Sequence, residues 1–461
     1  MRRTTGVVVA LFLGCALCAS GDQLISLDQL VRAGLADNPD IEQLASARAY
    51  SQAGLAGARA SGLPSVRFQS SYSYIPVPPA YDISQGSLGS FTIPPAGPTL
   101  QFPATDITVP QDLYNWNFNF GLQIDQPIFL WGKIRGNIAL HRQMVLSDAV
   151  RMEKKQAEIR TAITVQLYSL YYLDQLHRLV GEQRQTAEQM FQIAQDSFTA
   201  GQINEADLTE KRMAFRMIDH SILAIEEQEQ TALRSLRSET GLLELRLDTI
   251  SFEGVNTSLD RADLPPQETL VAEALGGNRD LKLLAVAQEI QKDRVGIADS
   301  DALLKPDLSL SAVVTYGGPR LPLTASDWTA KDNFGGNISL VIGASLFDGG
   351  KAASSVAQAK AQLDQTAYQK RSTERDIRSY VEQTRYQLDV DRKNIEYFST
   401  RVDDTQKLVA YQKHLLDIGA GSRLDYFQRR IDLYTQQVHV LEERLGFANR
   451  FLTLMNVVGR M

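Results

Sequence analysis

From Lys351 to Ile418 the chain runs 68 residues without a glycine or a proline, and a second 68-residue stretch, Lys133 to Ala200, ends in a matching motif. At a rise of ~1.5 Å per residue each stretch makes a helix on the order of 100 Å long, far beyond the roughly three-turn helices of ordinary globular domains. Rods of that length do not bury themselves in a compact core. They pair with one another or bridge a distance.

Both stretches belong to an internal duplication. Ile128-Phe129-Leu130-Trp131-Gly132-Lys133 aligns with Leu346-Phe347-Asp348-Gly349-Gly350-Lys351, at an offset of 347 − 129 = 218. The same offset sets Ala200-Gly201-Gln202-Ile203-Asn204 and Asp207 over Ile418-Gly419-Ala420-Gly421-Ser422 and Asp425, since 425 − 207 = 218. Nearer the start of each half, Asn38-Pro39-Asp40-Ile41 matches Asn278-Arg279-Asp280-Leu281. Repeats of this kind set the organisation before any element does. They predict a first repeat over 22–250, a linker at 251–265 and a second repeat over 266–461.

The formal charge of −7 gives no support to nucleic-acid binding, where a basic patch is expected. With 44% hydrophobic and 22% charged residues the chain has the composition of a folded protein. Residues 1–21 read as an export signal: Arg2 and Arg3, an apolar run from Val7 to Leu17, then Ala19-Ser20-Gly21 as a cleavage site. Both cysteines, Cys15 and Cys18, fall inside it, and Cys15 is a candidate for lipidation.

Between Pro64 and Lys133 the period changes from helical to alternating. Phe118, Phe120, Leu122 and Ile124 interleave with Asn117, Asn119, Gly121, Gln123 and Asp125, the two-residue period of a strand with one apolar and one polar face. Expected strands cover about 65–75 and 117–129, followed by helices over about 133–200 and 204–240. The second half repeats them as strands over about 307–316 and 337–347 and helices over about 351–418 and 422–456. Strands of about ten residues are long enough to cross a bilayer when tilted. Trp116 and Trp131 flank the alternating segment as interfacial girdle residues would. A soluble half-buried sheet carries the same pattern, so alternation alone leaves both readings open.

Four strands cannot close a barrel, and open edges in lipid cost several kcal/mol for each unsatisfied backbone group. A membrane reading therefore requires several copies, with Asn119, Gln123, Ser309 and Ser339 lining the lumen. The connection from Ile75 to Trp116 is rich in proline and is expected to be irregular, outside strands and helices. Catalytic signals are absent. Gly349-Gly350-Lys351 lacks the spacing of a phosphate loop, and Ala352 stands where a magnesium-binding hydroxyl is needed. The five histidines form no HExxH motif, so neither a metal nor a cofactor is expected.

In the order and doubled spacing of these motifs the chain resembles the outer-membrane efflux proteins, the TolC-like channels, from about Leu27 to Gly459. The resemblance implies an α+β membrane protein: long antiparallel α-helical coiled coils forming a helical barrel, and a 12-stranded transmembrane β-barrel shared by three protomers. It implies a homotrimer in outer-membrane lipid, extending into the periplasm and working with a periplasmic adaptor protein and an inner-membrane pump of the RND or ABC type. Gly201, Gln202, Gly419 and Ala420 then fall at the helix tips that meet the adaptor. Asp425 falls at the acidic ring of the periplasmic constriction and Asp207 at the gating aspartate. Gln428 replaces a second constriction aspartate, and Leu416 stands where the best-known member has a tyrosine bonded to the gating aspartate. Physical reasoning on Asp425 gives two compatible roles: an acidic ring on a three-fold axis favours cations, and a carboxylate in a first helical turn stabilises the helix. A non-transporting coiled-coil protein of the envelope is the rival reading.

Overall fold

We describe a computed structural model covering residues 24–461 except 75, 77–79, 96, 111–115, 302–304, 319–320, 322–328 and 331–332. The expected export signal, with Cys15 and Cys18, lies outside the described residues, as does much of the connection between Gly317 and Gly335.

In chain order the helices are α1 Leu27–Ala36, α2 Pro39–Ala60, α3 Lys133–Thr199, α4 Glu205–Thr240, α5 Gln267–Gly277, α6 Arg279–Ser300, α7 Lys351–Asp417 and α8 Arg423–Val458. The strands are β1 Ser65–Tyr74, β2 Ala80–Ile83, β3 Ser90–Thr92, β4 Thr99–Gln101, β5 Ile107–Pro110, β6 Trp116–Phe129, β7 Asp307–Gly318 and β8 Phe334–Gly343. The two long stretches form single unbroken helices of 67 residues, α3 and α7. The chain divides into two compact units, each drawn from both halves of the sequence.

The first unit comprises residues up to 48, 147–285 and 368–461. Its core is a seam of side chains at helical spacing, in which Leu30, Ile163, Leu167, Leu170, Leu236, Leu388 and Leu454 are fully buried. Each such side chain contributes roughly 1.5–3 kcal/mol relative to exposure. Short helices brace this seam where small residues permit it. A Cβ on Gly34 of α1 would stand 2.6 Å from Ile163 Cδ1, and one on Gly277 of α5 would stand 2.6 Å from the Val458 carbonyl oxygen. The segment expected as a linker makes one single-turn 3-10 helix, Leu259–Arg261, and buries Val255, Leu259 and Leu264. Arg385 and Arg392, seven residues apart on α7, donate to the carbonyls of Pro265 and Ala262 and hold it in place.

The second unit comprises residues 49–146 and 286–367. Its main sheet has the order β1-β6-β7-β8, and every neighbouring pair is antiparallel. β8 begins at Phe334 and ends at Gly343, so the expected extension to 347 is not made. β7 starts at Asp307, directly after Pro306, and its first residue already pairs with Gly343, which leaves Leu346 and Phe347 without a partner strand. A knot of bonds fixes the base of the sheet. Trp131 Nε1 donates to Pro306 O at 2.8 Å, Ser300 Oγ donates to Trp131 O at 3.0 Å, and Lys133 Nζ bridges Asp301 at 2.8 Å and Asp307 at 2.7 Å.

The proline-rich connection departs from expectation. Residues 80–110 form a two-stranded antiparallel ribbon, in which β2 pairs with β5 and β3 with β4. Between the two ladders Gly86 N donates to Pro103 O and Leu88 N to Phe102 O. Both strands of a ribbon have a free edge where a missing N–H interrupts no ladder bond, so proline is tolerated there. Pro94, Pro95 and Pro98 fall between β3 and β4, where the chain reverses.

Candidate functional site

Two features outside the packed core carry chemistry: the faces of the main sheet and the tips of the long helix pairs. In an antiparallel pair, residues opposite one another share a face. Cross-strand registers therefore assign most of the sheet's side chains to one of two unlike faces. One face carries Val66, Phe68, Tyr72 and Tyr74 of β1, Phe118, Phe120, Leu122 and Ile124 of β6, Leu308, Leu310, Ala312 and Val314 of β7, and Ile338, Leu340 and Ile342 of β8. Phe68 is 64% exposed, Tyr72 75% and Ile338 78%, so this apolar face is uncovered in the single chain. No exposed apolar surface of that extent is normal for a soluble monomer.

The opposite face is mostly polar: Arg67, Gln69 and Ser71, then Asn119, Gln123 and Asp125, then Ser309, Ser311 and Thr315, then Asn337 and Ser339, with Val313 and Val341 among them. Asn119, Gln123, Ser309 and Ser339 thus lie on one face. Asp125 organises it, accepting from Gln123 Nε2 at 2.9 Å and from Ser311 Oγ at 2.8 Å. β1 and β8 are the sheet's two edges.

Aromatic rings gather at the two ends of β6. At one end Trp116 packs on Tyr74 with ring centroids 4.9 Å apart, and Tyr316 on Phe334 at 5.3 Å. At the other Trp131 meets Phe129 edge-on at 5.1 Å. Trp131 also adopts φ 49°, a left-handed conformation for a non-glycine residue, within the turn that precedes α3.

The helix tips are built alike. α3 ends in a Schellman turn, with Gln202 N donating to Ser197 O at 2.8 Å and Gly201 at φ 73°. α7 ends in the same turn, with Ala420 N donating to Leu415 O at 2.9 Å and Gly419 at φ 75°. Donors and acceptors match at the offset of 218, because 420 − 202 and 415 − 197 give the same value. Only glycine enters this left-handed position without strain from a Cβ. Gly201, Gln202, Gly419 and Ala420 are all exposed.

Each following helix starts on a side-chain cap. Asn204 Oδ1 accepts from Asp207 N at 2.9 Å, and Ser422 Oγ accepts from Leu424 N at 3.2 Å. Asp207 and Asp425 stand exposed in the first turns of α4 and α8, where a carboxylate complements the helix dipole. Gln428 is half-buried and joins the two hairpins: its Oε1 accepts from Lys211 Nζ of α4 at 3.4 Å, and its Nε2 donates to Asp432 at 3.1 Å. Deeper along the same contact, Gln183 Nε2 of α3 donates to Thr435 Oγ1 of α8 at 3.0 Å. Lys211 was not evident as a site residue from sequence. The offset pairs it with Arg429 (429 − 211 = 218), a cation that holds Asp432 of its own helix, and that equivalence was the available signal.

Among the described residues no group of three or more His, Cys, Asp or Glu is arranged to hold a metal ion, and no helix is long and apolar enough to cross a membrane. The second fact does not bear on a β-barrel, whose strands are shorter and alternate.

The family model described as outer membrane efflux protein matches residues 104–242 and 270–460. Several solved structures share the fold. The outer membrane protein VceC from Vibrio cholerae superposes with a TM-score of 0.74 at 16% identity, covering 94% of this chain and 96% of that one. The CmeC outer membrane channel of Campylobacter jejuni gives 0.72 at 17% identity, covering 94% and 85%. The MtrE outer membrane channel of Neisseria gonorrhoeae, in its open state, gives 0.69 at 13% identity, covering 94% and 88%. No curated protein matches the chain in sequence.

Proposed function

Because this chain belongs to the outer membrane efflux protein family, whose model covers 330 of its 461 residues (139 + 191), we propose that it is one third of a passive exit duct through the outer membrane and periplasm. The observation that carries this reading is the amphipathic sheet. Its apolar face is largely exposed while the opposite face is mostly polar, broken by Val313 and Val341, and among the described residues β1 and β8 pair on one side only. Such a sheet is stable in hydrocarbon only when closed into a barrel with lipid outside and water within. Three copies supply twelve strands, wide enough for an aqueous lumen.

In this reading Trp116 and Trp131 sit at the two membrane interfaces, and Asn119, Gln123, Ser309 and Ser339 line the lumen. Gly201, Gln202, Gly419 and Ala420 meet a periplasmic adaptor, and three copies of Asp425, supported by Asp207 and Gln428, ring the constriction. Residues 22–250 and 266–461 are the two repeats, and 1–21 is the export signal, with Cys15 a candidate lipid anchor. No residue constellation here hydrolyses a nucleotide or relays protons, so an inner-membrane pump of the RND or ABC type supplies the energy through the adaptor. The family likeness and the paired helix tips support this; the cargo is set by the pump.

Fractionation tests the proposal. The protein should sediment with outer membranes, need detergent for extraction and run as an oligomer that heating dissociates. Recovery in the soluble fraction without detergent would favour the non-transporting coiled-coil reading instead.

A further inference from the structure

The two strand-to-helix junctions at the base of the sheet follow the same backbone path. β6 and β8 are each antiparallel to β7, so they run in one direction and leave the sheet at the same end. At the offset of 218 Trp131 aligns with Gly349, Gly132 with Gly350 and Lys133 with Lys351. Each junction turns through two consecutive left-handed residues: Trp131 at φ 49° and Gly132 at 92°, then Gly349 at 66° and Gly350 at 88°. Lys133 N donates to Leu130 O and Lys351 N to Asp348 O in the same tight turn.

The side chains on this shared path meet different fates. At the first junction Trp131 packs edge-on against Phe129 and donates its indole N–H to Pro306 O, and Lys133 is held between Asp301 and Asp307. A cation in a first helical turn opposes the helix dipole, and those two carboxylates offset it. At the second junction each of these partners is missing. Gly349 has no ring to lay on Phe347, which is 86% exposed against 51% for Phe129, and Leu346 beside it is 75% exposed. Lys351 is exposed and its ammonium has no partner among the described residues. The Asp348 carboxylate is already taken, accepting from Gly350 N at 2.9 Å and from Ala352 N at 2.7 Å. An aromatic ring, a leucine and an uncompensated ammonium therefore stand within residues 346–351.

Position selects what covers them. Leu346 and Phe347 follow Ile342, the last residue that β8 places on the apolar face of the sheet. In the barrel reading that face lies in hydrocarbon, and the junction falls where strand gives way to helix, at the membrane boundary. A neighbouring copy would extend β8 through its backbone edge, but the chain leaves strand conformation after Gly343, so residues 344–348 offer it no ladder. Apolar side chains level with the acyl chains, followed by a lysine whose stem carries its charge to the headgroups, suit a bilayer interface. Anionic headgroups attract that charge.

We propose that Leu346, Phe347 and Lys351 form a phospholipid anchor at the helix end of the sheet, with the two apolar side chains among acyl chains and the Lys351 ammonium on a headgroup phosphate. This rests on the barrel reading above. Each chain then carries one anchor and one junction sealed by its own side chains.

Spin labels test the apolar half in the protein reconstituted into vesicles of phosphatidylglycerol and phosphatidylcholine. The sequence has no cysteine after Cys18, so labels on Phe347→Cys, Ile338→Cys and Ser339→Cys are read against the labelled parent chain. Dissolved oxygen concentrates in hydrocarbon, whereas a nickel chelate stays in water. The label at 347 should meet oxygen several-fold more readily than the chelate, as at 338 on the apolar face, with the reverse at 339. A chelate-dominated signal at 347 beside an oxygen-dominated one at 338 overturns the anchor and leaves the barrel reading intact. So does a label at 347 shielded from both, the mark of protein contact. A chelate-dominated signal at 338 overturns both. For the cation, native mass spectra of protein released from micelles of the same two lipids compare Lys351→Gln with Lys407→Gln, which removes an ammonium from elsewhere on α7. Lys351→Gln should retain several-fold less phosphatidylglycerol than Lys407→Gln. Equal retention overturns the headgroup contact.

Discussion

Asp40 and Asp280, equivalent positions in the two halves of the chain, are gripped by consecutive lysines of a single helix. Lys155 Nζ lies 2.6 Å from Asp40 Oδ2, and Lys154 bonds Asp280. Each aspartate also opens its helix in the same way, with its backbone N–H donating to the side chain of Asn38 or Asn278. α3 thus pins the start of α2 and the start of α6 from one point, and the duplication is read by a segment that belongs to only one repeat. No equivalence of sequence requires that.

The first prediction concerns these pairs. Asp40 is more than half exposed, so Asp40→Asn and Asp280→Asn should each lower stability by only about 0.5–1 kcal/mol. The hydrogen bond it donates to Asp40 raises the Lys155 ammonium above its ordinary 10.5, against the opposing effect of burial. A cation raised on folding contributes fully below its unfolded value and loses that contribution as pH climbs through the higher folded one. Thermal midpoints of parent and Asp40→Asn should therefore differ near neutrality and converge above about pH 10.5.

Two adjacent glycines of α5 make a second, internally controlled prediction. A Cβ on Gly276 meets nothing within 4 Å, whereas one on Gly277 meets the Val458 carbonyl oxygen at 2.6 Å. Gly276→Ala should be neutral or stabilising by up to about 1 kcal/mol through helix propensity. Gly277→Ala should cost about 1–3 kcal/mol, because backbone rather than a flexible side chain must give way. Thermal unfolding of the two variants side by side checks the packing of α5 on α8.

These details also mark what the sequence made legible. Helices α3 and α7 follow from long stretches poor in helix breakers, and the sheet follows from the strict alternation around Phe118 and Asn119. The matching tip turns were visible because Gly201 and Gly419 hold the same left-handed position at a fixed offset. The ribbon was not visible, because Pro94, Pro95, Pro98 and Pro103 read as loop signals; they do stand outside the strands, but three- and four-residue strands such as those pairing Phe91 with Leu100 fit between them. Nor was Lys211 visible, since its contact with Gln428 joins helices 217 positions apart and depends on how α8 lies against α4. Patterning within an element survives in sequence; contacts between elements of unknown placement do not.

A third prediction addresses the constriction. Three Asp425 carboxylates on one axis should favour cations, as acidic rings do. In planar bilayers under a salt gradient, Asp425→Asn should move the reversal potential toward the unselective value while leaving assembly intact, because Ser422 rather than Asp425 caps α8. An unchanged reversal potential would remove Asp425 from the constriction and leave it the helix-dipole role alone.

The central claim is that one chain supplies an incomplete wall which only its copies can close. Native mass spectrometry of the detergent-extracted protein measures this most directly. A mass of three chains is the predicted result, with twelve strands available to the barrel. A mass of one chain, or of two, would contradict the account.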